Sequence, residues 1–191
     1  MKAFLSELQL NAVQIDKISA VFTEKIYLKN GDYFVKEGQI ANSLGFVVKG
    51  ACRYFYTTGK GDDITRWVAL ENEFTTSLSS FITGKPSVEN IQAIKNTEIL
   101  LVSKANWLKL YEENEFVRTI WTKRMEEEYI GMENRVALFI THNAEERFQW
   151  LLSFRPDFIL HVPDKYLATI LGITPRHISR LLNGKRGQMS S

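Results

Sequence analysis

The stretch Pro163-Asp164-Lys165-Tyr166-Leu167-Ala168-Thr169-Ile170-Leu171-Gly172-Ile173-Thr174-Pro175-Arg176-His177-Ile178-Ser179-Arg180-Leu181-Leu182 reads as two short helices joined by a tight turn. Leu167, Ile170 and Leu171 share one face of the first helix, at the spacing by which a helix buries an apolar stripe. Ala168 is small where a second helix would cross closely. Gly172 lets the chain turn sharply after the first helix. Thr174 is a natural N-cap and Pro175 a natural first helical residue. Ile173 and Ile178 stand at the positions of a hydrophobic staple, which sets the angle at which the second helix leaves the turn. Ile178, Leu181 and Leu182 bury that helix on the first, which leaves Arg176, His177, Ser179 and Arg180 pointing outward. Arginines near the start of such a helix can fork onto guanine O6 and N7, each worth about 1–3 kcal/mol against a wrong base. The stretch therefore predicts a DNA-reading helix-turn-helix, with a structural helical hairpin carrying an exposed basic face as the alternative.

The charge distribution favours the first reading. The chain carries a formal net charge of only +2, yet from Lys165 onward there are five cations (Lys165, Arg176, Arg180, Lys185, Arg186) and no carboxylate. The stretch before it is acidic, with Glu112, Glu113, Glu115, Glu126, Glu127, Glu128 and Glu133. A basic end on a near-neutral chain points to a polyanionic partner for that end alone, here double-stranded DNA.

Working toward the N-terminus, residues 106–141 contain no proline and are rich in Glu, Lys, Leu and Met. Trp121, Met125, Tyr129, Met132, Val136 and Phe139 recur at intervals of four or three, the stripe of an amphipathic helix. At ~1.5 Å per residue that helix would run about 45–50 Å, long for one small domain and suited to a seam between two subunits. A second helix, residues 145–154, buries Phe148, Leu151 and Leu152.

From about residue 22 to 102 the pattern is short strands between turn signals. Lys29-Asn30-Gly31-Asp32, Glu37-Gly38-Gln39, Lys49-Gly50 and the loop Thr58-Gly59-Lys60-Gly61-Asp62-Asp63 separate runs such as Leu44-Gly45-Phe46-Val47-Val48 and Ile64-Thr65-Arg66-Trp67-Val68-Ala69. Many short strands at this spacing indicate a β-sandwich or barrel. The fold expected is α+β: an antiparallel β-roll over residues 1–107, a long dimerisation helix over 108–141, and a helix-turn-helix domain over 142–191.

Residues 163–182 resemble the helix-turn-helix of the Crp/Fnr superfamily of transcription regulators, above all in the Leu-Gly-Ile-Thr-Pro turn followed by Ile-Ser-Arg, and the order of roll, long helix and C-terminal domain agrees along nearly the whole chain. The resemblance implies a homodimer on a two-fold-related DNA site, with the β-roll as sensor and RNA polymerase as a further partner. It implies that Arg176 and Arg180 read bases, that Thr174, His177 and Ser179 touch phosphates or neighbouring base edges, and that Lys165 and Thr169 anchor the first helix to the backbone. Any β-wing after the second helix is expected to be absent or tiny.

Cyclic-nucleotide binders of that superfamily carry a Gly-Glu pair for the ribose and an Arg followed by a small hydroxyl residue for the cyclic phosphate, a bidentate charge-assisted grip. Here Thr76-Ser77 stands in the first place and Ser87-Val88 in the second, and no arginine occurs between Arg66 and Arg118. An unpaired phosphate would cost several kcal/mol to bury, and Lys85 is a mobile point charge in an exposed-looking turn. Thr76, Ser77, Ser87 and Val88 are thus the candidate pocket, cyclic AMP is not the expected ligand, no cofactor is expected, and the effector is left open.

Other chemistry finds no support. His142, His161 and His177 lack metal-ligand spacing with one another or with Cys52, which reads as a small core residue. The β-region has no histidine for a cupin-type metal enzyme, and no phosphate loop or nucleophile motif occurs, so no enzymatic activity is expected. A single cysteine permits no intrachain disulfide and suits the cytoplasm. No signal-peptide pattern opens the chain, and apolar runs such as Ile99-Leu100-Leu101-Val102 fall far below the roughly 20 residues of a membrane span, so no membrane association is expected. The competing class is a small-molecule-binding roll or scaffold whose DNA-binding domain is vestigial; the outward set Arg176, Ser179 and Arg180 argues against it.

Overall fold

The computed structural model describes residues 1–8 and 10–188, with the side chains of residues 184–188, Lys185 and Arg186 among them, outside the described part. Two helices precede the sheets, α1 (Lys2–Glu7) and α2 (Ala12–Ala20), neither of which the strand-and-turn pattern predicts. Asn11 and Gln14 close a capping box at the start of α2, each side chain accepting the other residue's backbone N–H at 3.0 Å. Leu5, Ile15 and Ile18 then bury these helices against the roll.

The roll follows as β1 (Glu24–Leu28), β2 (Tyr33–Val35), β3 (Ser43–Lys49), β4 (Cys52–Thr57), β5 (Asp63–Ala69), β6 (Phe74–Thr75), the short helix α3 (Leu78–Thr83), β7 (Asn90–Ala93) and β8 (Thr97–Ser103). These strands form two four-stranded antiparallel sheets, in the orders β1-β8-β3-β6 and β2-β7-β4-β5. The reversal from β3 to β4 depends on Gly50, whose φ is +104° and where a Cβ would lie 2.6 Å from Thr97 Cα. Between the sheets Phe46, Val47, Ile91, Ile99 and Val102 are fully buried, with Cys52 among them. Burial pushes the Cys52 thiol up to about 12, which leaves it a core residue without thiolate character.

Six helices complete the chain: α4 (Lys104–Glu113), α5 (Glu115–Thr141), α6 (Ala144–Phe154), α7 (Pro156–His161), α8 (Asp164–Leu171) and α9 (Pro175–Gln188). The helix expected across 106–141 is therefore in two pieces, and the boundary expected at 107/108 falls inside α4. Asn114 breaks it, with extended φ and ψ of −134° and 111°. Its amide donates to the Leu110 carbonyl at 2.9 Å, and its Oδ1 accepts from Lys17 Nζ at 3.1 Å. Trp107 and Leu110 fasten α4 to the core of the roll. The remaining 27 residues of α5 run about 40 Å at ~1.5 Å per residue.

A second core joins the two halves of the molecule. Phe148, Leu151, Phe158, Val162, Leu167, Leu171 and Ile178 from the C-terminal helices pack with Ala51, Val68 and Leu70 of the roll. The C-terminal unit is thus docked on the sheet that contains β4 and β5.

Candidate functional site

The turn between α8 and α9 closes by local physics. Gly172 has φ +63°, and the N–H groups of Gly172 and Ile173 donate to the carbonyls of Thr169 at 3.1 Å and Ala168 at 2.9 Å, satisfying the last turn of α8. A Cβ at Gly172 would lie 2.9 Å from Phe139 Cε1, so this glycine also admits the end of α5. Thr174 Oγ1 accepts from the His177 N–H at 3.2 Å, the N-cap of a helix that begins at Pro175. Ile178 and Leu182 are buried and Ile173 packs in the same cluster.

This leaves Thr174, Arg176, Ser179 and Arg180 exposed on α9 and Lys165 exposed on α8. Lys165 Nζ rests 4.8 Å from the centre of the Tyr166 ring. Two other members of the set predicted to meet DNA are placed differently. His177 is half-buried, its Nε2 lies 3.7 Å from Glu145 Oε1 on α6, and that nitrogen has no hydrogen-bond partner among the described residues. Thr169 Oγ1 donates to the Tyr166 carbonyl at 3.0 Å and accepts the backbone N–H of Thr65, on β5, at 3.2 Å.

The residues of the candidate pocket hydrogen-bond among themselves and to the roll's backbone. Ser77 and Ser87, the residues standing where a ribose-binding Glu and a phosphate-binding Arg are expected, are both buried and hydrogen-bond to each other at 2.8 Å. The Ser87 hydroxyl also lies 2.7 Å from the Glu89 carbonyl, and the Thr76 hydroxyl donates to the Ser43 carbonyl at 2.9 Å. Val88 does not join them. It is 64% exposed, between buried Ser87 and Glu89 in the bend that leads into β7.

Arg66 and Glu89 are the residues that sequence reading misses here. Glu89 is buried, and Arg66 reaches it from β5 with a fork, Nε to Oε2 at 2.6 Å and Nη2 to Oε1 at 3.2 Å. Burial alone would lower the Arg66 guanidinium, and Glu89 more than offsets this, leaving it above its ordinary value. Beside it Arg135 of α5 is held below its ordinary value, first by burial and then by the charge of Arg66. No signal in the sequence marks the pair: the two residues are 23 positions apart and neither sits in a motif.

On α5, Tyr129, Met132 and Val136 of the predicted stripe are exposed. Its N-terminal end leans on the roll, with Trp121 5.2 Å from Trp107 and 6.4 Å from Phe81, ring centre to ring centre. An apolar groove of about 440 Å³, lined by Trp121, Met125, Tyr129 and Ile130 with Thr122 and Glu126, runs along this face.

With this geometry in hand, the roll can be compared with known families. Residues 25–114, which run from β1 to the end of α4, match the cyclic nucleotide-binding domain. That match spans 90 of the 191 residues. The matched stretch has the roll, with the Ser77–Ser87 contact in place of the expected carboxylate and guanidinium. Among solved structures, FixK2 from Bradyrhizobium japonicum is similar at a TM-score of 0.76 and 19% identity, over 86% of this chain and 85% of that one. A mutant of CooA from Carboxydothermus hydrogenoformans is similar at 0.73 and 15%, over 97% of this chain and 84% of that one. The regulator CLP of Xanthomonas campestris, described as responsive to c-di-GMP, is similar at 0.69 and 14%, over 93% of each chain. A regulator of the Crp/Fnr family from Eubacterium rectale is similar over 95% of this chain. These likenesses extend beyond the matched stretch through α5 and the C-terminal helices, so the chain shares the fold of these solved structures. No curated protein matches the sequence.

Proposed function

We propose that this chain is a homodimeric, sequence-specific DNA-binding transcription regulator, not an enzyme, whose α8–α9 unit is a helix-turn-helix and whose roll responds to a signal other than cyclic AMP. The observation that carries the reading is the exposed face of α9. Arg176 and Arg180 stand one helical turn apart near the capped start of that helix, in a stretch of chain with no carboxylate from residue 165 to 183. A helix entering the major groove by its N-terminus brings both guanidiniums to base edges, while Lys165 at the start of α8 meets the backbone. The exposed apolar face of α5 supports a second copy of the chain as the other half of the reader, and two such units would call for an inverted-repeat site. RNA polymerase as a partner and the cytoplasm as the place of action belong to the same reading. Among the described residues no helix is long and apolar enough to cross a membrane.

The test is selection of bound sequences from random duplex DNA, followed by titration of two variants against the selected operator and a scrambled duplex at several salt concentrations. Arg180→Ala is expected to weaken the operator by roughly 1–3 kcal/mol per disturbed base contact and to relax preference at that base pair. Lys165→Ala is expected to weaken both duplexes alike and to lower the salt slope by about 1 per half-site. Equal weakening of both duplexes by Arg180→Ala would make Arg180 a phosphate contact.

A second prediction concerns the roll. Ser77 and Ser87 offer a cyclic phosphate no positive charge, and Lys85 is exposed on a turn. Calorimetry with cyclic AMP is expected to show no micromolar binding and no change in operator affinity. Micromolar binding with a matching gain in DNA affinity would overturn this and make Lys85 the cation involved.

A further inference from the structure

Strand β5 pairs with β4 through Trp67 opposite Tyr54 and Thr65 opposite Phe55, so Arg66 is an extra residue in the ladder. Such a bulge leaves backbone groups without their ladder partners and re-aims a side chain. β5 is also the edge strand of its sheet, and the groups around the bulge are taken up by different parts of the chain. The Thr65 N–H donates to Thr169 Oγ1 on α8 at 3.2 Å. The Arg66 carbonyl accepts from Arg135 Nη1 on α5 at 3.5 Å. The Arg66 guanidinium forks onto Glu89, two residues beyond Ser87 in the pocket segment. The neighbouring Trp67 ring lies 4.8 Å from that of Phe158 on α7 and within 4.6 Å of the Arg135 guanidinium. Pocket segment, long helix and α8 therefore meet at one irregularity.

The contact with α8 has a polar edge. Arg53 is buried, bound to Gln92 and Asp63 and to the Thr65 hydroxyl, and lies 4.8 Å from the centre of the Tyr166 ring. Interfaces between units of one chain that mix such polar contacts with apolar ones are those expected to open and close. Thr169 is the atom in dispute. Its oxygen accepts the Thr65 N–H and its side chain is half-buried against β5, so while α8 is docked this hydroxyl is turned to the roll and away from any phosphate. In a helix-turn-helix the first helix crosses the DNA backbone. Docking on β5 and contact with the DNA backbone therefore compete for the same side of α8 at Thr169.

We propose that the β5 bulge is a latch: it holds α8 on the roll in a state of low DNA affinity, and separation of Glu89 from Arg66 releases it. This rests on the DNA-binding reading above. The bulge is the bistable element such coupling requires, biased from one side by the pocket segment and from the other by DNA.

Two measurements test it on the full-length protein. The first is amide hydrogen exchange in peptides covering residues 63–68, with the wild-type protein alone and bound to its selected operator. Exchange is expected to rise on DNA binding, as the Thr65 N–H loses Thr169; unchanged or stronger protection overturns the latch. The second is operator affinity of Glu89→Gln, which keeps the size of the side chain and removes its charge. An increase of about tenfold is expected, within the usual range of such couplings; no increase in a protein that melts as the wild type does overturns the link to the pocket segment. If Glu89→Gln does not fold, the wild-type exchange decides alone. If the wild type selects no DNA, the DNA-binding reading falls and the latch with it. If it binds DNA with residues 63–68 still protected, the latch alone falls.

Discussion

A protein carrying Met132→Glu and Val136→Glu is expected to sediment as a monomer and to lose operator affinity by a hundredfold or more, the range over which joining two binding modules acts (about 10²–10⁴). Both side chains are apolar and more than half exposed, at 54% and 61%, one helical turn apart on α5. Covered by a second copy, each would contribute on the order of 1.5–3 kcal/mol per chain, and a carboxylate in its place would be buried without a partner. Neither residue belongs to the chain's own cores, so the variant should keep the wild-type far-UV spectrum, which separates lost association from lost folding. Sedimentation of the wild type as a monomer at micromolar concentration would sink the dimer, as would a double variant that stays dimeric.

Phe158→Ala should cost about 3–5 kcal/mol of stability, the range for removing a buried aromatic ring. Phe158 has no exposed surface, its ring centre is 4.8 Å from that of Trp67 on β5, and the Arg155 guanidinium caps it at 4.0 Å. Arg155 also bridges to Glu73 of the roll at 2.9 Å, so the lost ring loosens a joint between the two halves. Burial pushes the Glu73 carboxyl up, and Arg155 offsets part of that. Urea unfolding followed by tryptophan fluorescence and by circular dichroism checks this. A loss below about 1 kcal/mol would mean that the roll and the C-terminal helices do not share a core, since a ring in a well-packed site cannot be removed so cheaply.

Much of the α8–α9 unit was legible because its signals are local. Gly172, Thr174 and Pro175 act within a few residues of themselves, through positive φ, a capping hydroxyl and a ring that tolerates the first helical turn. The strand-and-turn pattern of the roll is legible on the same grounds, since turn glycines and alternating apolar residues need no distant partner. The two N-terminal helices escape because they are short, six and nine residues, and bury their apolar residues on a surface that strands from elsewhere supply.

The break at Asn114 lies between these cases. Heptad-like spacing continues across it, and asparagine inside a helix is only mildly unfavourable. Its extended conformation is held by Lys17, which is 97 residues away in sequence. Phe139 reads as part of an intersubunit stripe, yet its ring lies against Gly172. Both differences arise because periodicity tells which face is apolar but not what covers it.

Local residue preferences are enough to place the turn between α8 and α9 and the start of α9, the basic outward face, the glycine-punctuated roll, and the loss of the usual carboxylate and guanidinium of a cyclic-nucleotide site. Packing in three dimensions is what brings Ser77 to Ser87, turns Val88 to solvent, sets Arg66 rather than a downstream arginine beside the pocket segment, and bonds Thr169 to β5. The physical reason is range. Capping and turn preferences are energies of neighbouring residues, whereas a bulge that redirects Arg66 depends on the register of β4 against β5 and on which groups packing then brings within 3 Å or so of one another.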